Sequence, residues 1–180
     1  MDHQFAECLA FTLEQEGGYS DDPADPGGAT NMGITLATLQ RWDRNPTLDA
    51  ANVMDLARST AAAIYRALYW NVLQGDSLPA GVDLSVFDFG VNAGPGRSAM
   101  LLQEAVGFSA GEVDGCIGPI TLGAVLKADP VDLIDRLAGS QAAFYRNLPE
   151  FDIFGQGWLG RTERRKDAAL AMARQGVISA

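Results

Sequence analysis

The sequence holds a single histidine, His3, and two cysteines, Cys8 and Cys116. One histidine close to the N-terminus argues against Ser-His-Asp and Cys-His nucleophilic machinery and against multi-histidine metal centres, so no metal site is expected. Two cysteines cannot build a disulfide framework, and two buried free thiols are the simpler expectation. Positive charge is scarce too. Thirteen Lys and Arg stand against 23 Asp and Glu, a net charge of −10, which makes nucleic-acid phosphates and anionic membrane surfaces poor partners. No apolar run is long enough to span a bilayer. The N-terminal MDHQFAECLAFTLEQEGG carries acids where a secretory signal would carry positive charge, so synthesis in the cytoplasm without a signal peptide is expected. Carboxylates remain as the groups on which catalysis can rest.

What is present describes an ordinary globule. The 180 residues are 47% apolar with a mean hydropathy of zero, enough to bury a sizeable core. Residues 2–16 predict a first helix, on which Phe5, Cys8, Leu9, Thr12, Leu13 and Glu16 share one stripe at 100° per residue while Glu7 and Glu14 lie opposite. Gly17-Gly18 stops it. Residues 19–35 hold turn chemistry with a short hairpin across Gly27–Thr35. Downstream the pattern is helical: Leu36–Trp42 capped by Thr35, an Ala-rich run from Asn52 to Leu73 with a second piece starting at Ser59 or Thr60, and a helix opened by Leu78-Pro79. Further helices are expected over Ser98–Val106, Thr121–Lys127, Val131–Asn147 and Leu159–Arg174. The expected fold is mainly α, an α+β arrangement with one small β-hairpin or loop lobe. We divide it into residues 1–75 and 76–180, packed as one compact unit.

Glu16 is the first candidate for chemistry. Partial burial and the negative end of a helix both disfavour its charged form, as a glycosidase general acid requires. Asp21, Asp22 and Asp25 follow in the next loop and supply a second carboxylate. On residue types alone, an exposed glutamate at a helix end and aspartates building turns before Pro23 and Pro26 explain the same residues more simply.

The literal strings carry more. EGGY at Glu16–Tyr19 followed by DPADPGGATNMGIT at Asp22–Thr35 resembles the signature of glycoside hydrolase family 108, the phage-type and secretion-associated N-acetylmuramidases. Tyr69-Trp70, DSLPAGVDLSVFDFGVNAG at Asp76–Gly94 and FGQGWLGR at Phe154–Arg161 match later blocks of that family, and LQEAVG with DGCIGPIT at Leu102–Thr121 resembles peptidoglycan-binding repeats. The resemblance implies a lysozyme-like fold and a cofactor-free hydrolase. Its substrate is implied to be the β-1,4 bond between N-acetylmuramic acid and N-acetylglucosamine. It places the catalytic acid on Glu16 and, by order and spacing, the partner carboxylate on Asp25, with Asp22 competing, and the water-orienting threonine on Thr30. Tyr19, Asp22, Asn31, Trp70, Asp88, Asn92 and Trp158 are the expected substrate contacts. Among these, Asp88 also suits a buried ion pair with Arg97 or Arg161, and at least one of Tyr19, Trp70 and Trp158 is expected to be core. The Arg161–Lys166 cluster, RTERRK, is either a solvated helix face or a contact for wall carboxylates. The resemblance implies peptidoglycan glycan strands as the partner, expected to be met by a monomer in the periplasm or cell wall after release through a holin or another export route, in phage lysis or in toxin secretion. A noncatalytic wall-binding protein and a chitinase- or chitosanase-like glycosidase on the same scaffold are the alternatives.

Overall fold

A computed structural model describes residues 3–21 and 28–178, so Asp22 and Asp25 lie outside the described residues. The chain divides into two compact units, residues 9–68 and residues 1–8 with 69–180. The boundary follows Leu68, and the first eight residues go with the C-terminal unit.

The unit of residues 9–68 takes the end of α1 (His3–Gln15), the hairpin β1 (Thr30–Asn31) and β2 (Ile34–Thr35), and helices α2 (Leu36–Asp43), α3 (Ala50–Met54) and α4 (Arg58–Tyr65). Thr35 caps α2 as expected, its hydroxyl accepting from Thr38 N at 3.2 Å. The Ala-rich run does not form one or two helices from Asn52. Asp49 caps α3 three residues earlier in a reciprocal box with Asn52, the helix ends at Met54 with Asp55 as its C-cap, and Ala57 is extended (ψ 138°) before α4 starts at Arg58. Neither Ser59 nor Thr60 caps α4, because both lie inside it. A π-helical turn, Arg66–Trp70, follows α4.

The other unit is built around α5 (Val82–Ala93), which packs against α6 (Pro95–Ala105), α8 (Pro130–Arg146) and α9 (Phe151–Ile178). Every residue from Val82 to Gly90 is buried, the pattern of a helix enclosed on all faces rather than one with a solvated side. Two of its backbone carbonyls accept from side chains of the packing helices: Ser98 Oγ donates to Val86 O at 2.6 Å and Gln141 Nε2 to Ser85 O at 3.0 Å. Phe5, Trp70 and Phe87 meet edge-to-face or tilted, with centroids 5.2–6.1 Å apart. Helix α6 begins at Pro95, three residues before the expected start, because proline suits the first helical position and Gly94 (φ 89°) makes the turn into it. Helix α9 begins at Phe151, eight residues early. Glycine weakens a helix, but at Gly155 the ring of Phe151 fills the space of the missing side chain. Helix α7 is Pro119–Val125. Both cysteines are free, with Cys8 buried as expected and Cys116 exposed.

Asp83, in the first turn of α5, gives a testable consequence. It is fully buried. Its Oδ1 accepts from Gly81 N and Leu84 N, each at 2.7 Å, while Oδ2 makes no hydrogen bond and the Cys8 thiol lies beside the group. Burial pushes the carboxyl from 3.8 up to about 7, the two backbone N–H groups opposing it. The folded state therefore holds a proton that the unfolded chain has already lost, so stability is highest below the unfolded value and falls as pH rises from about 4 towards 7. Asp83→Asn keeps the Oδ1 acceptor and abolishes the ionisation. It is expected to be more stable than wild type at pH 8 by a few kcal/mol and to lose that advantage near pH 4. Urea unfolding at the two pH values checks it.

Candidate active site

Glu16 sits where α1 ends. Its backbone N still donates to Thr12 O at 3.1 Å, so the carboxylate keeps the direction of the helix stripe, half-buried, while Gly17 and Gly18 let the chain leave. Four residues on, Ser20 and Thr30 exchange both backbone hydrogen bonds at 2.8 Å. This bridge ties the segment after Glu16 to β1.

The hairpin pairs Thr30 with Thr35 and Asn31 with Ile34, leaving Met32 and Gly33 as a two-residue turn. Both have positive φ, 49° and 73°, the combination that matches the twist of a tight hairpin. At Met32, which is not glycine, this conformation costs on the order of 1–2 kcal/mol. Tyr65, buried at the end of α4, donates its hydroxyl to Met32 O at 2.9 Å. A Cβ on Gly33 would collide with the Tyr65 hydroxyl and lie 3.1 Å from Glu16 Oε2 and 3.2 Å from Glu16 Cγ. The turn thus packs directly onto the Glu16 side chain, and only glycine permits that approach.

Thr30, half-buried, donates its hydroxyl to Gly28 O at 3.2 Å; the oxygen keeps acceptor capacity for a water. Asn31 donates from Nδ2 to Val53 O and Met54 O, both at 3.0 Å, satisfying carbonyls at the end of α3. Tyr19 is half-buried and its hydroxyl reaches Asp21 Oδ2 at 3.3 Å. Burial and the Asp21 charge push its ionisation up, so it remains a hydrogen-bond donor. Glu16, Tyr19, Thr30 and Asn31 all lie within residues 9–68.

The expected contacts in the other unit fare differently. Trp70 is 0% exposed, enclosed by Phe5 and Phe87, with Nε1 donating to Asp76 Oδ1 at 2.7 Å. It presents no face to a sugar and is core. Asp88 is also 0% exposed. Arg161 grips it with two bonds, Nη2 to Oδ1 at 2.7 Å and Nε to Oδ2 at 3.1 Å, and Arg165 Nη1 reaches Oδ2 at 2.8 Å. Burial alone would raise its ionisation, but the two guanidinium groups hold the carboxyl below the usual value. Asp88 is therefore a buried ion-pair centre rather than a substrate contact. Arg97 lies instead over the Phe144 ring, 5.4 Å from its centroid. Asn92 is exposed one turn on; with its amide oxygen turned towards Arg161 it accepts from Nε at 2.9 Å and Nη2 at 3.1 Å. Trp158 is half-buried, stacked on Tyr145 at 5.3 Å and beside exposed Phe154 at 5.7 Å.

The RTERRK cluster is not a free cationic face. Arg165 is 1% exposed, Arg161 is bound to Asp88, and Lys166 pairs with Asp135 at 2.8 Å. No group of three or more His, Cys, Asp or Glu among the described residues is arranged to hold a metal ion.

Comparison with known families assigns both parts of the chain. The glycosyl hydrolase 108 model matches residues 9–94 and the predicted peptidoglycan domain matches residues 97–163. The solved structure of SagA from Brucella abortus is 44% identical over 94% of this chain and 95% of that one, with a TM-score of 0.83. The chain belongs to glycosyl hydrolase family 108. Comparison with curated proteins finds no match.

This family 108 member is therefore a glycoside hydrolase with the mainly α, lysozyme-like fold that the sequence predicts, and the second match makes peptidoglycan its substrate. Two features of its site escape sequence reasoning. Gly33 stands inside the expected hairpin, at the second position of the turn, where Asn31-Met32-Gly33 gives a usable signal. Tyr65 gives none, being 33 residues from the carbonyl that it binds.

Proposed function

We propose that this hydrolase is an N-acetylmuramidase, cutting the β-1,4 bond between N-acetylmuramic acid and N-acetylglucosamine. Glu16 protonates the glycosidic oxygen. Asp25, or Asp22 in its place, stabilises the developing positive charge or activates water, and Thr30 orients that water. The observation that carries the reading is the half-buried Glu16 carboxylate at the end of α1, packed against a strained hairpin turn. A general acid works only when it is held within hydrogen-bond reach of the leaving oxygen, and a carboxyl fixed by a turn meets that need.

Turnover on purified sacculi and on chitin oligomers tests the substrate. Rapid release from sacculi with little action on chitin is expected; the reverse preference overturns the muramidase assignment.

The charge arrangement adds a second expectation. With a net charge of −10 and Arg161, Arg165 and Lys166 each paired with a carboxylate of the same chain, the protein is repelled by anionic stem peptides at long range. Adsorption of the Glu16→Gln protein to sacculi is expected to rise severalfold as the Debye length shortens from about 30 Å to about 8 Å with added salt. Co-sedimentation measures it.

A further inference from the structure

We propose that Tyr65 is a positioning residue for Glu16, acting through the Met32–Gly33 turn; the proposal rests on Glu16 being the catalytic acid. Three observations meet at this point. Met32 holds a left-handed conformation (φ 49°) that a residue with a side chain adopts rarely. Its carbonyl accepts the Tyr65 hydroxyl at 2.9 Å, and Tyr65 is 1% exposed. The space that a side chain on Gly33 would need is filled on one side by that hydroxyl and on the other by the Glu16 Cγ and carboxylate.

These contacts form one chain of support. The phenol, carried by α4, pins the Met32 carbonyl. The pinned carbonyl fixes the orientation of the next peptide unit and so places Gly33. Gly33 in turn closes one side of the Glu16 side chain. Filling the core would need only the ring of Tyr65; the hydroxyl is directed at the turn. Strain of this kind persists where surrounding groups over-determine it, and it gathers at functional sites. A carboxyl whose neighbour is fixed loses the rotamer freedom that would carry it away from the leaving oxygen.

The test uses the full chain and solubilised peptidoglycan strands. It compares kcat and KM for wild type, Glu16→Gln, Tyr65→Phe, Gly33→Ala and the Tyr65→Phe/Gly33→Ala double variant. Folded fraction is measured by circular dichroism, and rates are expressed per folded molecule. Tyr65→Phe leaves the ring and removes the pin: kcat is expected to fall about tenfold with KM within about twofold of wild type. Gly33→Ala drives a methyl into the Tyr65 hydroxyl and against Glu16, and about a hundredfold loss in kcat is expected. Because removing the hydroxyl relieves the larger of those clashes, the double variant is expected to lose less than the product of the two single losses. A wild-type kcat for Tyr65→Phe, a change confined to KM, or losses that multiply in the double variant would overturn the positioning role. Activity that survives Glu16→Gln instead overturns the reading on which it rests.

Discussion

Glu16→Gln is expected to reduce peptidoglycan cleavage by about a thousandfold while leaving the fold and sacculus binding intact. The amide preserves the length and shape of the side chain and so the contact with the Gly33 turn. It can still donate a hydrogen bond to the glycosidic oxygen. It cannot deliver a proton as the bond breaks, and proton transfer by a positioned acid contributes roughly 10²–10⁴-fold. Glu16→Asp separates chemistry from position. It keeps an ionisable carboxyl but withdraws it by one methylene from the turn and from the substrate, and a displacement of about 1 Å costs on the order of a hundredfold. Both variants should unfold at nearly the wild-type midpoint, because Glu16 is only half-buried.

Asp88→Ala is expected to do the opposite, lowering stability strongly. Removing the shared acceptor strands the Arg165 guanidinium, 1% exposed, with Gln141 Oε1 at 2.6 Å and Thr162 Oγ1 at 3.3 Å as its remaining hydrogen-bond partners from this network. Breaking a buried pair from one side costs about 3–5 kcal/mol, because an uncompensated charge stays in the interior. For a chain of this length that corresponds to a drop in Tm of roughly 6–20 °C. The same network joins α5, α8 and α9, since Gln141 also donates to Ser85 O at 3.0 Å. The loss should therefore appear as a lower urea midpoint with an unchanged slope. It should shrink in acid: the Asp88 carboxyl is depressed by its partners, so its contribution is present above the ordinary value of 3.8 and disappears as pH falls through the folded one.

The contrast between these residues shows what the sequence makes visible. Glu16 itself is legible because its nearest surroundings are local: the apolar stripe of α1, the glycine pair that ends the helix, and a hairpin within twenty residues; Tyr65, which pins that hairpin from α4, is not. Periodicity and turn chemistry report such neighbours directly. The sequence offers a buried Asp88 the partners Arg97 and Arg161, and Arg161 is the one it meets, but no spacing rule reaches 73 or 77 positions to choose Arg161 over Arg97 or to find Arg165. Composition misleads there as well, since RTERRK looks like a solvated basic face when two of its four cations, Arg161 and Arg165, are turned inward against one carboxylate. Trp70 shows the same difficulty for aromatics. Its neighbour Gly75 lies so close to the indole that any side chain there would collide with it, but nothing in the Tyr69-Trp70 pair itself distinguishes a core ring from a sugar platform. Helix boundaries fail where capping outweighs the apolar pattern, as at Asp49 and Pro95, or where a ring packs over a glycine, as at Phe151 and Gly155.

The central claim, that Glu16 acts as the acid of a muramidase, meets its most direct test in the sugar that the enzyme leaves at the reducing end. Sacculi digested by wild type and by Glu16→Gln are reduced with borohydride, and the released muropeptides are identified by mass spectrometry. Wild type is expected to yield fragments ending in N-acetylmuramitol, and the variant next to none. Fragments ending in N-acetylglucosaminitol, or wild-type yields from Glu16→Gln, would contradict the account.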